Sequence, residues 1–271
     1  MSDGDRRYND GWPLWMRVAG HARRGWYNRR GGPGSAIILM YHRVADVSDD
    51  PHALAMAPQL FQEQLAAFVR EFTVLPLQEL VGRLQRRDVL PRYGLCVTFD
   101  DGYADNFTTA LPILRACGVP GTFFVAGAGL DAAYRYGWEH HAPDLYEHVD
   151  AETLAAAAAD PLVTIGGHTM THPHLAQLNY RQQLGEIADN RRMLADITGQ
   201  AVTLFAYPFG WVEDYRASRQ AVADAGYAAA VTTTAGLVTR RSADLLELPR
   251  EDVHAMPADA AVAFLRHAFG G

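Results

Sequence analysis

Lysine is absent from this 271-residue chain, and all 24 of its strongly basic residues are arginine. Set against 31 Asp and Glu, they leave a net charge of −7 at neutral pH. That balance argues against nucleic acid as the main partner, because phosphate binding needs concentrated Lys and Arg. With abundant alanine, the arginine-for-lysine bias reads as the codon usage of a GC-rich genome, so the alanine runs at 155–159 and 228–230 need no functional account. Cysteine is scarce too. Cys96 and Cys117 are too few for a disulfide framework and read as buried apolar thiols. No apolar run approaches the length of a membrane span. The opening Met1-Ser2-Asp3-Gly4-Asp5 is acidic and is not followed by the apolar core, roughly 7–15 residues, of a secretory signal. A cytoplasmic enzyme is the expectation.

A hydrophobic content of 49% over this length is enough for one large core. Strand-like runs recur at 36–41, 73–75, 95–99, 122–126, 162–165, 202–206 and 228–231, with helical patterns at 58–71, 105–117, 180–198 and 215–225. Such alternation predicts an α/β fold with a parallel sheet, closed into a distorted β/α barrel, in a single domain over 36–271. Chemistry in such barrels sits at the C-terminal ends of the strands. Residues 1–35 read as an appended arm. Trp12, Trp15, Ala19, Ala22 and Trp26 form one helical stripe flanked by Arg17, Arg23 and Arg24. Such a helix packs over its own barrel or makes peripheral membrane contact through residues 12–30.

Two clusters carry the chemistry. The first is TFDDGY at 98–103, where Asp100 and Asp101 follow a β-branched strand. Adjacent carboxylates at a strand end repel each other unless a cation sits there or one stays protonated. One can then bind a metal while the other moves protons; the bland alternative is a surface turn. The second is GGHTMTHPHL at 166–175, again after a strand-like run. His168 and His172, four apart, would share one side of a helical turn and with Asp101 make a two-histidine, one-carboxylate site. His174 is a further candidate, although Pro173 interrupts a continuous helical face. Between the clusters, the long segment 127–160 holds Tyr134, Tyr136, Trp138, Glu139, His140, His141 and His148, suited either to sugar rings or to an ordinary capping loop.

These motifs resemble the polysaccharide deacetylases, the NodB-homology group of carbohydrate esterase family four. TFDDGY resembles the first family motif and HTMTH the second. The resemblance implies Asp100 as catalytic base, and Asp101, His168 and His172 as ligands of a divalent metal, zinc first and Co²⁺, Ni²⁺ or Fe²⁺ as others. The third motif, R-x-P-[FY], appears as Ala206-Tyr207-Pro208-Phe209, without its arginine. From that match the backbone N–H of Tyr207 is expected to donate to the oxyanion. The family's L-x-x-H motif, which supplies a general acid, is best matched near the start of the domain at Leu39-Met40-Tyr41-His42, similar to a permuted order of motifs. His254 is its rival, and Arg250 is placed to replace the missing arginine. The implied reaction is hydrolysis of an N-acetyl group on an amino sugar. Deformylation of a lipid-linked sugar, metal-independent hydrolysis of a cyclic amide and a non-catalytic sugar-binding role are the alternatives.

Overall fold

The computed structural model describes residues 34–141, 145–241, 243–254 and 256–270. The arm's Trp stripe and the membrane contact expected of it lie outside those residues. Six parallel strands form the main sheet in the order β1 (Ser35–Tyr41), β5 (Gly94–Phe99), β6 (Gly121–Val125), β7 (Val163–Gly167), β8 (Leu204–Ala206) and β9 (Ala229–Val231). All seven expected strands are present, the seventh being β4 (Thr73–Val74) beside β5. Four two-residue strands were not foreseen. They are β2 (Arg43–Val44) paired with β3 (Ala55–Met56), β10 (Val238–Thr239) antiparallel on β1, and β11 (Glu251–Asp252) parallel to β1.

One irregular segment closes the sheet into the distorted barrel. Leu248 bridges to Val231 of β9, and three residues later Glu251 pairs with Leu39 of β1. Between those two contacts lies Arg250.

Seven α-helices wrap the sheet among the described residues: α1 (Pro58–Glu71), α2 (Leu77–Arg86), α3 (Leu111–Cys117), α4 (Ala151–Ala158), α5 (Tyr180–Thr198), α6 (Val212–Asp224) and α7 (Ala258–Ala268). Local sequence sets their ends. Asn179 and Gln182 make a reciprocal capping box at the start of α5, and Gly199, left-handed at φ +67°, ends it. Pro112 sits in the first turn of α3, where a missing N–H costs nothing. The helix expected over 105–117 is split, with one π-helical turn at Asn106–Ala110 before α3.

Strand parity divides the core. Ile37, Leu39 and Tyr41 of β1 face outward into the layer under α1 and α7, with Phe61, Phe68 and Leu265. Ala36 and Ile38 face inward with Cys96, Phe124, Leu204, Ala206, Val231 and Leu248, and Leu77, Leu80, Val81 and Leu84 of α2 close the N-terminal end of this inner core. The same parity carries Cys96, Thr98 and Asp100 up the inner face of β5, so polar side chains begin where the apolar filling stops.

Candidate active site at the strand ends

Asp100 follows β5, and its N–H donates to Tyr41 O at 3.0 Å. It therefore stands beside His42, one step past the last register pair, Tyr41 with Phe99. Both are placed by strand continuation, as the spacing predicts.

Arg250 meets Asp100 in a bidentate ion pair, with NH1 to Oδ1 at 2.7 Å and NH2 to Oδ2 at 2.6 Å. Its Nε donates to Thr232 O at 2.9 Å, and NH1 also donates to Thr98 Oγ1 at 3.1 Å. Thr98 in turn donates to Leu39 O at 2.7 Å. Both members of the pair are buried. Burial alone would raise the Asp100 carboxyl, but the guanidinium outweighs it and holds the group below the usual carboxylate range. Ala206, where the family motif has arginine, lies on the same inner face. Here Arg250 of the closing segment brings a guanidinium to this carboxylate.

Asp101 turns the other way. Its backbone is left-handed at φ +72°, which sends the side chain out of the strand's alternation and toward the end of β7. There His168 Nε2 lies 3.2 Å and His172 Nε2 3.3 Å from Asp101 Oδ1, and all three residues are buried. One donor atom from each lies within 4.8 Å of the others. The two histidines do not share a helical turn as their spacing suggests. Residues 168–172 form an irregular turn with Thr169 at φ +67° and His172 at φ +56°, pinned by the His172 N–H on Thr169 Oγ1 at 3.1 Å.

These residues fit a divalent cation. His168 Nδ1 lies 2.8 Å from Ala206 O, which can only accept, so Nδ1 carries a proton, and in the neutral ring Nε2 turns its lone pair toward a carboxylate oxygen. Two acceptors at that distance repel unless a proton or a metal cation joins them. Burial pushes His168 down, yet the Asp101 hydrogen bond and the Asp100 charge more than offset it and leave the imidazole raised. Asp101 is held well below the carboxylate range, its burial outweighed by the two imidazoles. A fixed outer Nδ1 contact is also what orients a metal-ligating imidazole.

Of the two candidate acids, His42 is the one that follows β1 at the rim beside Asp100. His254 Nδ1 instead bonds Asp252 Oδ1 at 2.6 Å. The Tyr207 N–H does not stand free: it donates to Val231 O at 3.2 Å, extending the β8–β9 ladder by one residue, while the Tyr207 hydroxyl donates to Leu246 O. The expected oxyanion donor is therefore engaged in the sheet. Pro208 has no N–H, so the next peptide donor along the chain is Phe209, left-handed at φ +59° with its ring 4.7 Å from His172.

Sequence reasoning missed this aromatic rim. His174 stacks on Phe209 at 3.7 Å and 12°, Trp211 lies 5.0 Å from His174, and Asp214 fixes His174 through Nδ1 at 3.2 Å. Trp211 is 49% exposed. By contrast Tyr103 and Tyr136, in or near the long segment offered for sugar contact, are buried under the site.

The strand ends thus bring together a carboxylate locked to an arginine and, beside it, a carboxylate facing two imidazoles. The family model for polysaccharide deacetylase matches residues 90–230, a span that takes in both clusters. The Bacillus subtilis (strain 168) protein YxkH, named as a polysaccharide deacetylase, is 31% identical over 209 residues, covering 77% of this chain and 68% of that protein. The chain belongs to the polysaccharide deacetylase family, hydrolases acting on amide bonds. It is 25% identical over 164 residues to the poly-β-1,6-N-acetyl-D-glucosamine N-deacetylase of Escherichia coli (strain K12), across 59% of this chain and 24% of that longer protein. In fold it is similar to the Streptococcus pyogenes deacetylase PplD in complex with acetate, with TM-score 0.72, 23% identity and coverage of 86% and 99% of the two chains. IcaB from Ammonifex degensii is similar at TM-score 0.71, 23% identity and 87% and 98% coverage. No helix among the described residues is long and apolar enough to cross a membrane.

Proposed function

We propose that this chain is a metal-dependent deacetylase that removes N-acetyl groups from amino sugars in a polysaccharide or a glycoconjugate precursor. The observation that carries the reading is the pairing of two neighbouring carboxylates in opposite settings, Asp100 on Arg250 and Asp101 on two imidazoles. Asp101, His168 and His172 would hold a divalent cation, zinc by the donor set, with Co²⁺, Ni²⁺ and Fe²⁺ suited to the same atoms. When bound, that ion supplies Lewis-acid polarisation and lowers the pKa of water.

The chain's own groups do the rest. Asp100, kept ionised by Arg250, takes a proton from the attacking water as its oxygen joins the acetyl carbon. The N–H of Phe209, the next peptide donor after the one engaged at Tyr207, donates to the carbonyl oxygen as negative charge gathers there. His42 gives a proton to the sugar nitrogen as the C–N bond breaks, because an amide anion is too basic to depart unassisted. Acetate and a free amine are the products. The exposed ring of Trp211, backed by Phe209 and His174, offers an apolar face to a neighbouring sugar ring.

Mass spectrometry of products from the zinc-loaded enzyme tests this on β-1,4- and β-1,6-linked N-acetylglucosamine oligomers, N-acetylglucosamine and an N-formylated amino sugar. Acetate from the oligomers is expected. Formate from the formylated sugar alone would favour the deformylase, and no product from a metal-loaded protein would favour a binding role.

A further inference from the structure

The segment between β6 and α4 returns twice to the Asp100–Asp101 turn. Its far end pairs with the turn's exit: Val149 N donates to Gly102 O at 3.0 Å and Ala104 N to Glu147 O at 2.8 Å, around a Tyr103–His148 bridge. Its middle reaches Asp101 itself, where the Tyr136 hydroxyl donates to the Asp101 carbonyl at 2.8 Å. Tyr136 is held in turn by Glu139. The Tyr136 N–H donates to Glu139 Oε2 at 2.9 Å, and His148 Nε2 lies 3.0 Å from the same oxygen. The His148 ring stacks on Tyr103 at 5.1 Å and meets Tyr136 edge-on at 4.8 Å.

We propose that Glu139, acting through Tyr136, is a positioning residue that holds Asp101 in its metal-binding orientation. The inference rests on the metal reading of Asp101 given above. Glu139 is 0% exposed. A carboxylate buried among aromatic rings and matched to a single imidazole is a poor source of stability, since desolvation offsets the attraction. Geometry is what it supplies. Asp101 carries a β-carbon at φ +72°, a conformation that persists only where the surroundings over-determine it. The Tyr136 hydroxyl fixes the peptide that follows Asp101, and the Gly102–Val149 bond fixes the peptide after that. Loosening either lets the chain relax toward ordinary β dihedrals, which would swing Oδ1 away from His168 and His172.

The test is zinc affinity of the full chain, by competition with a chromogenic chelator, for wild type, Glu139→Ala, Glu139→Gln and Tyr136→Phe. Leu194→Ala, a core variant in α5, serves as a control for simple loss of stability, read from thermal melting. Glu139→Ala and Tyr136→Phe should each weaken zinc binding by roughly 10- to 100-fold, the scale for lost outer partners of metal ligands. Glu139→Gln, which keeps an oxygen for the Tyr136 N–H, should recover most of the loss. Wild-type affinity in Tyr136→Phe, or a loss in Glu139→Ala no larger than in Leu194→Ala, would overturn the proposal. If Glu139→Ala does not fold, Tyr136→Phe, which removes one hydroxyl, decides. Wild-type protein that binds no zinc would overturn the metal reading and this inference with it, whereas tight wild-type binding with unaffected variants would overturn the inference alone.

Discussion

Asp100 and Asp101 are adjacent in the chain and equally buried, yet one is saturated with protein donors and the other is not. Asp100 receives both arms of a guanidinium that is itself anchored on Thr98 and Thr232. Among the described residues the Asp101 carboxylate meets two imidazoles, at 3.2 and 3.3 Å, and the Nδ1 of His172 is buried without a protein partner. The left-handed backbone at Asp101 is what separates them. A strand that simply continued would send Asp101 outward by alternation, but the turn carries it sideways to the neighbouring strand end. Two copies of one side chain thereby stand in different settings, one locked to a guanidinium and one facing two imidazoles, and the proposed mechanism gives the first the base's work and the second the cation.

The largest expected break in this comparison is on the cation side. His168→Ala and His172→Ala should each remove most bound metal and nearly all acetate release; elemental analysis showing a full complement in His172→Ala would contradict the ligand assignment. Next is the proton donor. His42→Ala should slow turnover by roughly 10²- to 10⁴-fold with metal content unchanged, the usual scale for a lost general acid. His254→Ala, whose ring serves Asp252, should stay within a few-fold of wild type, and the reverse pattern in steady-state kinetics would move the acid to the C-terminal segment.

Arg250 sharpens the other side. In wild type the Asp100 carboxyl is depressed, so the pair's stabilisation is present above the unfolded carboxyl pKa, about 3.9, and is lost as pH falls through the lower folded value. In Arg250→Met burial is opposed only by the charges of His168 and His42, and the carboxyl rises. The acid limb of the pH–rate profile should then move to higher pH, and neutral-pH denaturant melts should show a loss of about 3–5 kcal/mol. An unmoved acid limb would remove Asp100 as the titrating base. The smallest effect belongs to the rim, where Trp211→Ala should raise KM for an oligomer several-fold and leave kcat nearly unchanged. A drop in kcat with KM unchanged would place Trp211 in the chemistry instead.

Much of this was legible in the sequence because strand continuation fixes a side chain's face once its strand is known. The runs ending at Tyr41, Phe99 and Ile165 placed His42, Asp100 and the histidine turn at one rim, and Arg250 was recoverable from the gap at Ala206. What escaped depended on contacts between distant segments. The two-residue strands β2, β3, β10 and β11 carry no local pattern, and α4 hides in an alanine run without hydrophobic contrast. The spacing of His168 and His172 suggested a helical turn, yet positive φ at Thr169 and His172 brings the rings together by another route, which spacing alone cannot distinguish. The Tyr207 N–H was lost to the ladder because β8 pairing runs one residue past the strand, a fact set by Val231.

The division between the two carboxylates is tested most directly by making the same near-isosteric change at each, Asp100→Asn and Asp101→Asn, and measuring zinc content alongside acetate release. The account predicts that Asp100→Asn keeps a full complement of zinc with turnover lost, whereas Asp101→Asn loses zinc and turnover together. Equal zinc loss in the two variants, or substantial turnover in Asp100→Asn, would contradict it.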